Sequence, residues 1–258
     1  MIQMTEEKSA IQRWNGKELV IDTDFLASET VCEISVNDEI LARLLCSFGE
    51  YRELAVGHLI SEGYCDIEHV DSISQKGQSV ELSISKTISR VNFSEIITTS
   101  CGACDRENFD ALNNPKQGRN DIIFSVKILQ QALVRMRELQ GQFENSGGTH
   151  CSALVDVEGN IRYIAEDIGR HNSTDKVIGK ALLDGADLSE FCLLLSGRCA
   201  WDLCAKAVRS NISAIASLGA ISDLAASCAR ANMVSIAGFL KQENGVIIGT
   251  FLESNQQP

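Results

Sequence analysis

Proline is almost missing from this chain: two residues in 258, one of them the last. No proline-rich segment divides it. Aromatic residues are sparse as well, at 5%. No apolar run approaches the roughly 20 residues needed to cross a bilayer, and residues 1–13, with Glu6, Glu7 and Lys8, lack a secretory apolar core. These absences predict a cytoplasmic protein with no membrane partner. Excess basic charge is missing too: 23 Lys and Arg stand against 35 Asp and Glu, for a net charge of −12 and a pI near 4.8. A surface this acidic repels nucleic acid and anionic membrane, but it leaves room for a small anion held by a few local donors. Also absent are a G-x-G-x-x-G turn, a Walker A lysine loop, H-E-x-x-H, and the H-x-E plus P-C-x-x-C set of zinc deaminases. The fingerprints of a dinucleotide dehydrogenase, a P-loop ATPase and those zinc enzymes are therefore not there.

What the chain does have is apolar residues and cysteine. It is 44% hydrophobic and 22% charged, enough for a substantial core in one large domain or two small ones. The ten cysteines are Cys32, Cys46, Cys65, Cys101, Cys104, Cys151, Cys192, Cys199, Cys204 and Cys228. In a reducing compartment most are expected to stay reduced, and those inside apolar runs, such as Cys46 and Cys192, act as small core residues. The exception is Thr98-Thr99-Ser100-Cys101-Gly102-Ala103-Cys104-Asp105. Small neighbours leave both sulfurs reachable, and Gly102 lets the backbone turn between them. Backbone amides aimed at a thiol favour the thiolate, which is the form that attacks another sulfur. A single C-x-x-C points to sulfur or redox chemistry. Half of a zinc site completed from elsewhere, or a pair of idle cysteines, are the other readings, and no second pair has structural-zinc spacing.

Periodicity divides the chain into two units. Residues 1–17 read as a polar lead-in. Glu18–Ile21 and Thr30–Val36 read as strands, Asn37-Asp38-Glu39 as a turn, and Ile40–Leu45 as the returning strand. Over Glu50–Ser61 the period becomes helical, with Leu54, Ala55, His58 and Leu59 on one face and Gly63 as the stop. His58 reads as a packed residue rather than a ligand. Val70–Ser74 and Ser79–Ser85 form another hairpin. This α+β unit spans 1–104 and ends in the cysteine loop. Residues 105–124 read as a linker or mobile loop, and 125–258 as a second unit. There Val126, Leu129, Leu133 and Met136 mark a helix running to about Gly141, with Ser125 as N-cap. Strands are expected at Cys151–Val157, Ile161–Glu166, Phe191–Leu195, Ala214–Leu218, Val234–Gly238 and Val246–Phe251. Helices are expected at Ser173–Leu183, Trp201–Ser210 and Ser222–Ala231. Such alternation predicts an α/β fold with a three-layer mixed sheet.

Three polar segments interrupt the second unit: Asn145-Ser146-Gly147-Gly148-Thr149-His150, Asp167-Ile168-Gly169-Arg170-His171-Asn172, and Ser196-Gly197-Arg198. In open α/β sheets ligands gather where strand ends meet helix starts. Glycines permit close backbone approach, helix-start amides suit phosphate oxygens, and Arg170 and Arg198 add charge-assisted hydrogen bonds. His150 and His171 are expected to hydrogen-bond or shuttle protons, with structural packing as the alternative and no metal site predicted.

In this order these segments resemble the formate dehydrogenase accessory sulfurtransferases, the FdhD-type sulfur carriers. The resemblance runs from about Thr30 to Thr250. It is carried by Glu53-Leu54-Ala55-Val56-Gly57 with Ser61-Glu62-Gly63, and by Ser100-Cys101-Gly102-Ala103-Cys104. Further along it is carried by Gly147-Gly148-Thr149-His150, Glu166-Asp167-Ile168-Gly169-Arg170-His171-Asn172 with Asp175-Lys176-Val177-Ile178-Gly179, then Ser196-Gly197-Arg198 and Gly238-Phe239-Leu240. Asp105 departs from the glycine usual there, and Lys241-Gln242-Glu243-Asn244 is less basic than the family pattern. The resemblance implies a cysteine desulfurase as donor, a persulfide on Cys101 assisted by Cys104, and delivery of sulfur to a molybdenum or tungsten bis(molybdopterin guanine dinucleotide) cofactor needed by formate dehydrogenase. It also implies cofactor contacts at Phe239, Leu240, Lys241, Gln242, Glu243 and Asn244, a cytidine-deaminase-like second domain without zinc ligands, and a homodimer. A dithiol oxidoreductase and a non-catalytic cofactor-binding chaperone are the competing functions.

Overall fold

The computed structural model describes residues 8–85, 96–97, 122–241 and 244–253. Cys101, Cys104, Gln242 and Glu243 lie outside the described residues, as do residues 105–121 of the expected linker.

The N-terminal strands make two sheets. β1 (Ser9–Trp14) and β2 (Leu19–Asp24) pair antiparallel as a separate ribbon, so the stretch read as a polar lead-in holds a strand. Its composition looks like a lead-in because the ribbon is mostly solvated. The second sheet joins β3 (Thr30–Val36), β4 (Glu39–Cys46), β5 (Val70–Lys76), β6 (Ser79–Ile84) and β7 (Ile96–Ile97) in the order β5-β6-β3-β4-β7. Cys32, Ile34 and Val36 alternate inward along β3, as a period of two requires. They pack against helix α1 (Tyr51–Ser61), whose Leu54, Ala55, Val56 and Leu59 are buried.

The second unit is built on a six-stranded sheet. Its strands are β8 (His150–Val155), β9 (Ile161–Asp167), β10 (Cys192–Leu195), β11 (Ala214–Ser217), β12 (Ser235–Lys241) and β13 (Asn244–Ile248), in the order β13-β12-β11-β10-β8-β9. β10, β11 and β12 run parallel; β8 and β13 oppose their neighbours. One face carries helix α2 (Val126–Glu138), with Leu129, Leu133 and Met136 buried. A short helix α3 (Gly141–Ser146) follows, overlapping the start of the polar segment at Asn145 and Ser146. The other face carries α4 (Arg170–Leu183), α5 (Trp201–Arg209) and α6 (Asp223–Ala231). The expected three-layer α/β arrangement with a mixed sheet is what the chain adopts. Helix α4 starts at Arg170, three residues before the expected Ser173.

α4 is the centre of the molecule and is buried nearly all round, from Asn172 to Ala181. α1 lies directly across it. A Cβ on Gly57 would fall 1.7 Å from the Asp175 carbonyl oxygen, and one on Gly179 would fall 1.9 Å from that of Glu53. Backbone thus touches backbone at the crossing, and no side chain beyond hydrogen fits at either position.

Candidate functional site

The strand directions bring the predicted loops to one end of the six-stranded sheet. β10, β11 and β12 finish there, β8 begins there at His150, and β9 finishes there, with Asp167 opposite His150 in the β8–β9 register. Ser196-Gly197-Arg198 follows β10. Leu218-Gly219 follows β11 and lies against it: Gly219 N–H donates to the Gly197 carbonyl at 3.2 Å, and Ser217 Oγ donates to that carbonyl at 2.5 Å. A Cβ on Gly219 would sit 2.7 Å from Arg198 N, so the two turns can stack only because this residue is glycine. Phe239 N–H donates to the Gly219 carbonyl at 2.8 Å. That residue has φ of 49°, a left-handed conformation that costs a non-glycine residue about 1–3 kcal/mol, and its side chain stays half exposed. Sequence reasoning missed Ser217 and Gly219, which carry no motif of their own.

Arginine and histidine side chains gather at this end. Arg170 and His171 occupy the first turn of α4, and Arg198 is exposed beyond β10. His150 stands beside Gly197, where a Cβ would be 3.3 Å from its Nδ1. Burial, with Arg170, His171 and Arg198 around it, holds the His150 imidazole below its ordinary range, so it is neutral at neutral pH. Asp202, in the first turn of α5, faces Arg170 and His171. Its Oδ2 accepts from Arg170 Nη2 at 3.3 Å and makes a very short hydrogen bond with His171 Nε2. Burial opposes ionisation of Asp202; the His171 hydrogen bond, the Leu203 N–H and the Arg170 charge outweigh it and hold the carboxyl at about 2. Arg170 Nε is buried without a partner among the described residues. Neither Gly169 nor Ala200, the residues before α4 and α5, supplies a side-chain cap to the helix amides. Two helix starts and a surplus of guanidinium charge therefore face the same space, an arrangement suited to phosphate oxygens.

The remaining predicted residues sit around this edge. Thr149 is buried and donates through Oγ1 to Glu166 at 2.9 Å. Glu166 also accepts the N–H groups of Gln142 and Phe143 at the start of α3, which holds the Gly147-Gly148 turn in place. Gly148 lies tight against Ala27, in the segment leading from the ribbon to β3. Leu240 is core, at 2% exposure, packed with Leu194 and Ala237, so its side chain is not offered to a ligand. Lys241 and Asn244 are exposed at the tip of the β12–β13 hairpin.

Two buried polar clusters fix the edge from behind. Asp167 pairs with Lys176 at 2.7 Å and accepts from Ser47 N–H, Gly169 N–H and Asn172 Nδ2 at 2.9–3.0 Å. Asn172 Nδ2 also donates to the Leu45 carbonyl at 2.7 Å. The end of β4 is thereby fastened to the turn that presents Arg170. One helical turn deeper, Lys206 Nζ donates to both oxygens of Asp175 at 2.8 and 3.0 Å and to Ser61 Oγ at 2.9 Å, and it also pairs with Glu62. Ser61 Oγ donates to Asp175 at 2.6 Å, and His58 Nδ1 lies 3.3 Å from the same carboxylate. His58 is thus a packed residue, as expected. Burial opposes the charged forms here, yet the mutual attraction keeps Asp175 and Glu62 below their ordinary ranges and Lys206 above its own.

The eight described cysteines, Cys32, Cys46, Cys65, Cys151, Cys192, Cys199, Cys204 and Cys228, are all free and buried. Burial pushes the thiols of Cys32, Cys46 and Cys199 up to about 12 and raises those of Cys151 and Cys192 as well. Thiols in that state do not act as nucleophiles. Among the described residues, Asp66, Glu68 and His69 form a group with metal-ligand atoms within 4.8 Å of one another, on the turn before β5 and not among the residues of the sheet end described above. No described helix is long and apolar enough to cross a membrane.

Comparison with known proteins agrees with this architecture. The FdhD/NarQ family model matches residues 27–249. The sulfur carrier protein FdhD of Sulfurisphaera tokodaii is 32% identical over 86% of this chain and 88% of its own. The protein of the same name from Saccharolobus solfataricus is 32% identical over 89% and 90%. A crystal structure assigned as a formate dehydrogenase accessory protein from Desulfotalea psychrophila superposes with a TM-score of 0.77, covering 95% of this chain and 98% of that one at 20% identity, a likeness of fold.

Proposed function

Because the chain belongs to the FdhD/NarQ family, we propose that it is a sulfur carrier, with Cys101 as the carrying thiol and a molybdenum or tungsten bis(molybdopterin guanine dinucleotide) as the bound substrate that receives the sulfur. The observation that carries the reading is the end of the six-stranded sheet, where Arg170, His171, Arg198 and the starts of α4 and α5 meet in a form that suits a phosphate-rich ligand. Two further facts support it. The eight other cysteines are sealed, which leaves Cys101 and Cys104 as the candidates for chemistry. β7 runs parallel to β4, with Ile97 opposite Leu44, and β4 leads to Ser47, which bonds Asp167 and Ile168 behind the phosphate-facing edge. Three residues separate Ile97 from Cys101 in the sequence, which limits the distance between their Cα atoms to about 14 Å.

In this reading the Cys101 thiolate attacks the outer sulfur of a persulfide on a cysteine desulfurase. The donor's sulfur–sulfur bond breaks, the donor leaves as thiolate, and Cys101 keeps the extra sulfur as its own persulfide, with no net oxidation. Attack by the Cys104 thiolate on the inner sulfur of that persulfide forms a Cys101–Cys104 disulfide and releases sulfide for the bound substrate; a thiol reductant then restores the pair. The arrangement serves formate dehydrogenase and operates as a homodimer in the cytoplasm. Mass spectrometry after incubation with an active desulfurase and cysteine is the test. A gain of about one sulfur mass (~32 Da) on Cys101 is expected, and its loss in Cys101→Ala with the other cysteines unmodified. No adduct on the wild-type chain under conditions where the desulfurase itself carries persulfide would reject the proposal. A dithiol oxidoreductase would instead turn over with thiol reductants without acquiring that mass.

A further inference from the structure

We propose that Asp202 is the positioning residue of the phosphate-facing edge, holding Arg170 and His171 as one unit against the start of α5; the inference rests on the anion-binding reading above. A carboxylate is at first sight misplaced there, because it repels phosphate. Its geometry removes the objection. Both oxygens are occupied by protein donors: Oδ1 accepts the Leu203 N–H at 2.8 Å, and Oδ2 accepts from Arg170 Nη2 at 3.3 Å and His171 Nε2. Arg170 and His171 are adjacent in the first turn of α4, while Asp202 stands in the first turn of α5. One acceptor therefore sets two side chains and ties two helix starts together. The contact to Arg170 engages Nη2, and the side chain keeps 22% of its surface open, so the guanidinium retains donors for a ligand even though Nε itself is buried and unpartnered among the described residues. With Asp202 bonded to Nε2 of His171, the ring is held in a single orientation. Preorganised donors of this kind bind an anion more tightly than the same groups left free to rotate.

A role confined to holding the fold would make a different prediction, and two readouts separate them. Inorganic pyrophosphate is titrated into the wild-type full-length chain, Asp202→Asn, Asp202→Ala and Asp202→Glu by calorimetry, with melting followed in parallel. The histidine ring nitrogens are observed by NMR, where the four histidines of the chain give few signals to assign. Pyrophosphate affinity is expected to fall about tenfold or more in Asn and Ala, with partial recovery in Glu, at temperatures where every variant is folded. The His171 Nε2 proton is expected to be slow to exchange and strongly downfield in the wild type and to lose both properties in Asn. Pyrophosphate affinity in Asp202→Asn within about twofold of wild type, or a His171 signal unchanged by the substitution, overturns the positioning role and leaves the anion site standing. Failure of the wild-type chain to bind pyrophosphate removes the anion site and this inference together.

Discussion

Helices α4 and α5 hold two carboxylate–cation clusters, one turn apart, with opposite outcomes. In the outer turn the side chains of Arg170 and His171 come from α4 and the carboxylate of Asp202 from α5; in the inner turn the carboxylate of Asp175 comes from α4 and the cation of Lys206 from α5. His171 and Asp175 are four apart on one helix, as are Asp202 and Lys206 on the other, so each pair lies on a single face. The inner cluster is sealed at its centre, with Asp175 and Lys206 side chains 1% and 2% exposed and Glu62 31% exposed at its rim, and two carboxylates, Asp175 and Glu62, match two cations, Lys206 and Arg209. The outer cluster is about a quarter open, and its one carboxylate, Asp202, meets both Arg170 and His171. Matched in charge and dry at its centre, such a cluster fastens helices; open and short of anions, it is ready for a ligand. Burial and charge balance, rather than residue type, separate the two.

The sharpest way to break this contrast is Lys206→Met. The substitution leaves Asp175 buried with only Ser61 and His58 for company, and an uncompensated interior charge costs about 3–5 kcal/mol. For a chain of this size that is a fall of about 10 °C or more in melting temperature. Adding Asp175→Asn removes the stranded charge and is expected to restore a large part of the loss. Pyrophosphate affinity of the folded Lys206→Met protein is expected to match wild type. A stability loss below about 1 kcal/mol by urea unfolding, or a selective loss of binding, would show that the inner cluster is not a fastening.

The outer cluster has a smaller, pH-dependent signature. The Asp202 carboxyl lies at about 2 in the folded protein against an ordinary value of 3.8. A depressed carboxylate stabilises the fold fully above its ordinary value, and the contribution is lost as pH falls from about 4 towards about 2. Partly screened by solvent, that contribution is about 1–2 kcal/mol. Asp175 also titrates low, so the informative quantity is the difference between wild type and Asp202→Asn across that window. The wild-type advantage at pH 6 is expected to shrink towards zero near pH 2. A constant difference would mean that the charge of Asp202 does not contribute.

Much of this was legible in the sequence because it is local. Val126, Leu129, Leu133 and Met136 share a face; two of the polar segments follow strands and the third precedes one that runs the opposite way, so their convergence at one sheet end follows from strand direction. What escaped is non-local or locally misleading. Ser173 and Thr174 look like residues at a helix start, yet their hydroxyls donate back to the Arg170 carbonyl at 3.0 and 3.1 Å from within α4. Helix α3 is held at its start by Glu166, which lies on β9. The Asp175–Lys206–Ser61 network joins residues separated by 31 to 145 positions, for which no periodic signal exists. Asp175 and Gly179 lie four apart on α4, but what they meet is set by α1 across from them.

The ribbon supplies the third point of the comparison and the smallest expected effect. Arg13 pairs there with Asp22 and Asp24, both at 2.7 Å, distances as short as any in the inner cluster except those to Ser61 and Glu62. The side chains are 40–52% exposed, so water already solvates both charges and little is gained when they meet. Arg13→Ala is therefore expected to leave the melting temperature unchanged within measurement, at low salt as well as high. The lengths of the ion pairs are then similar from Arg13 to Lys206 while the consequence runs from nothing to loss of much of the fold's stability. If Arg13→Ala instead lowered the melting temperature as far as Lys206→Met, exposure could not be the variable that separates fastening from site, and the contrast between the two turns of α4 and α5 would need a different cause.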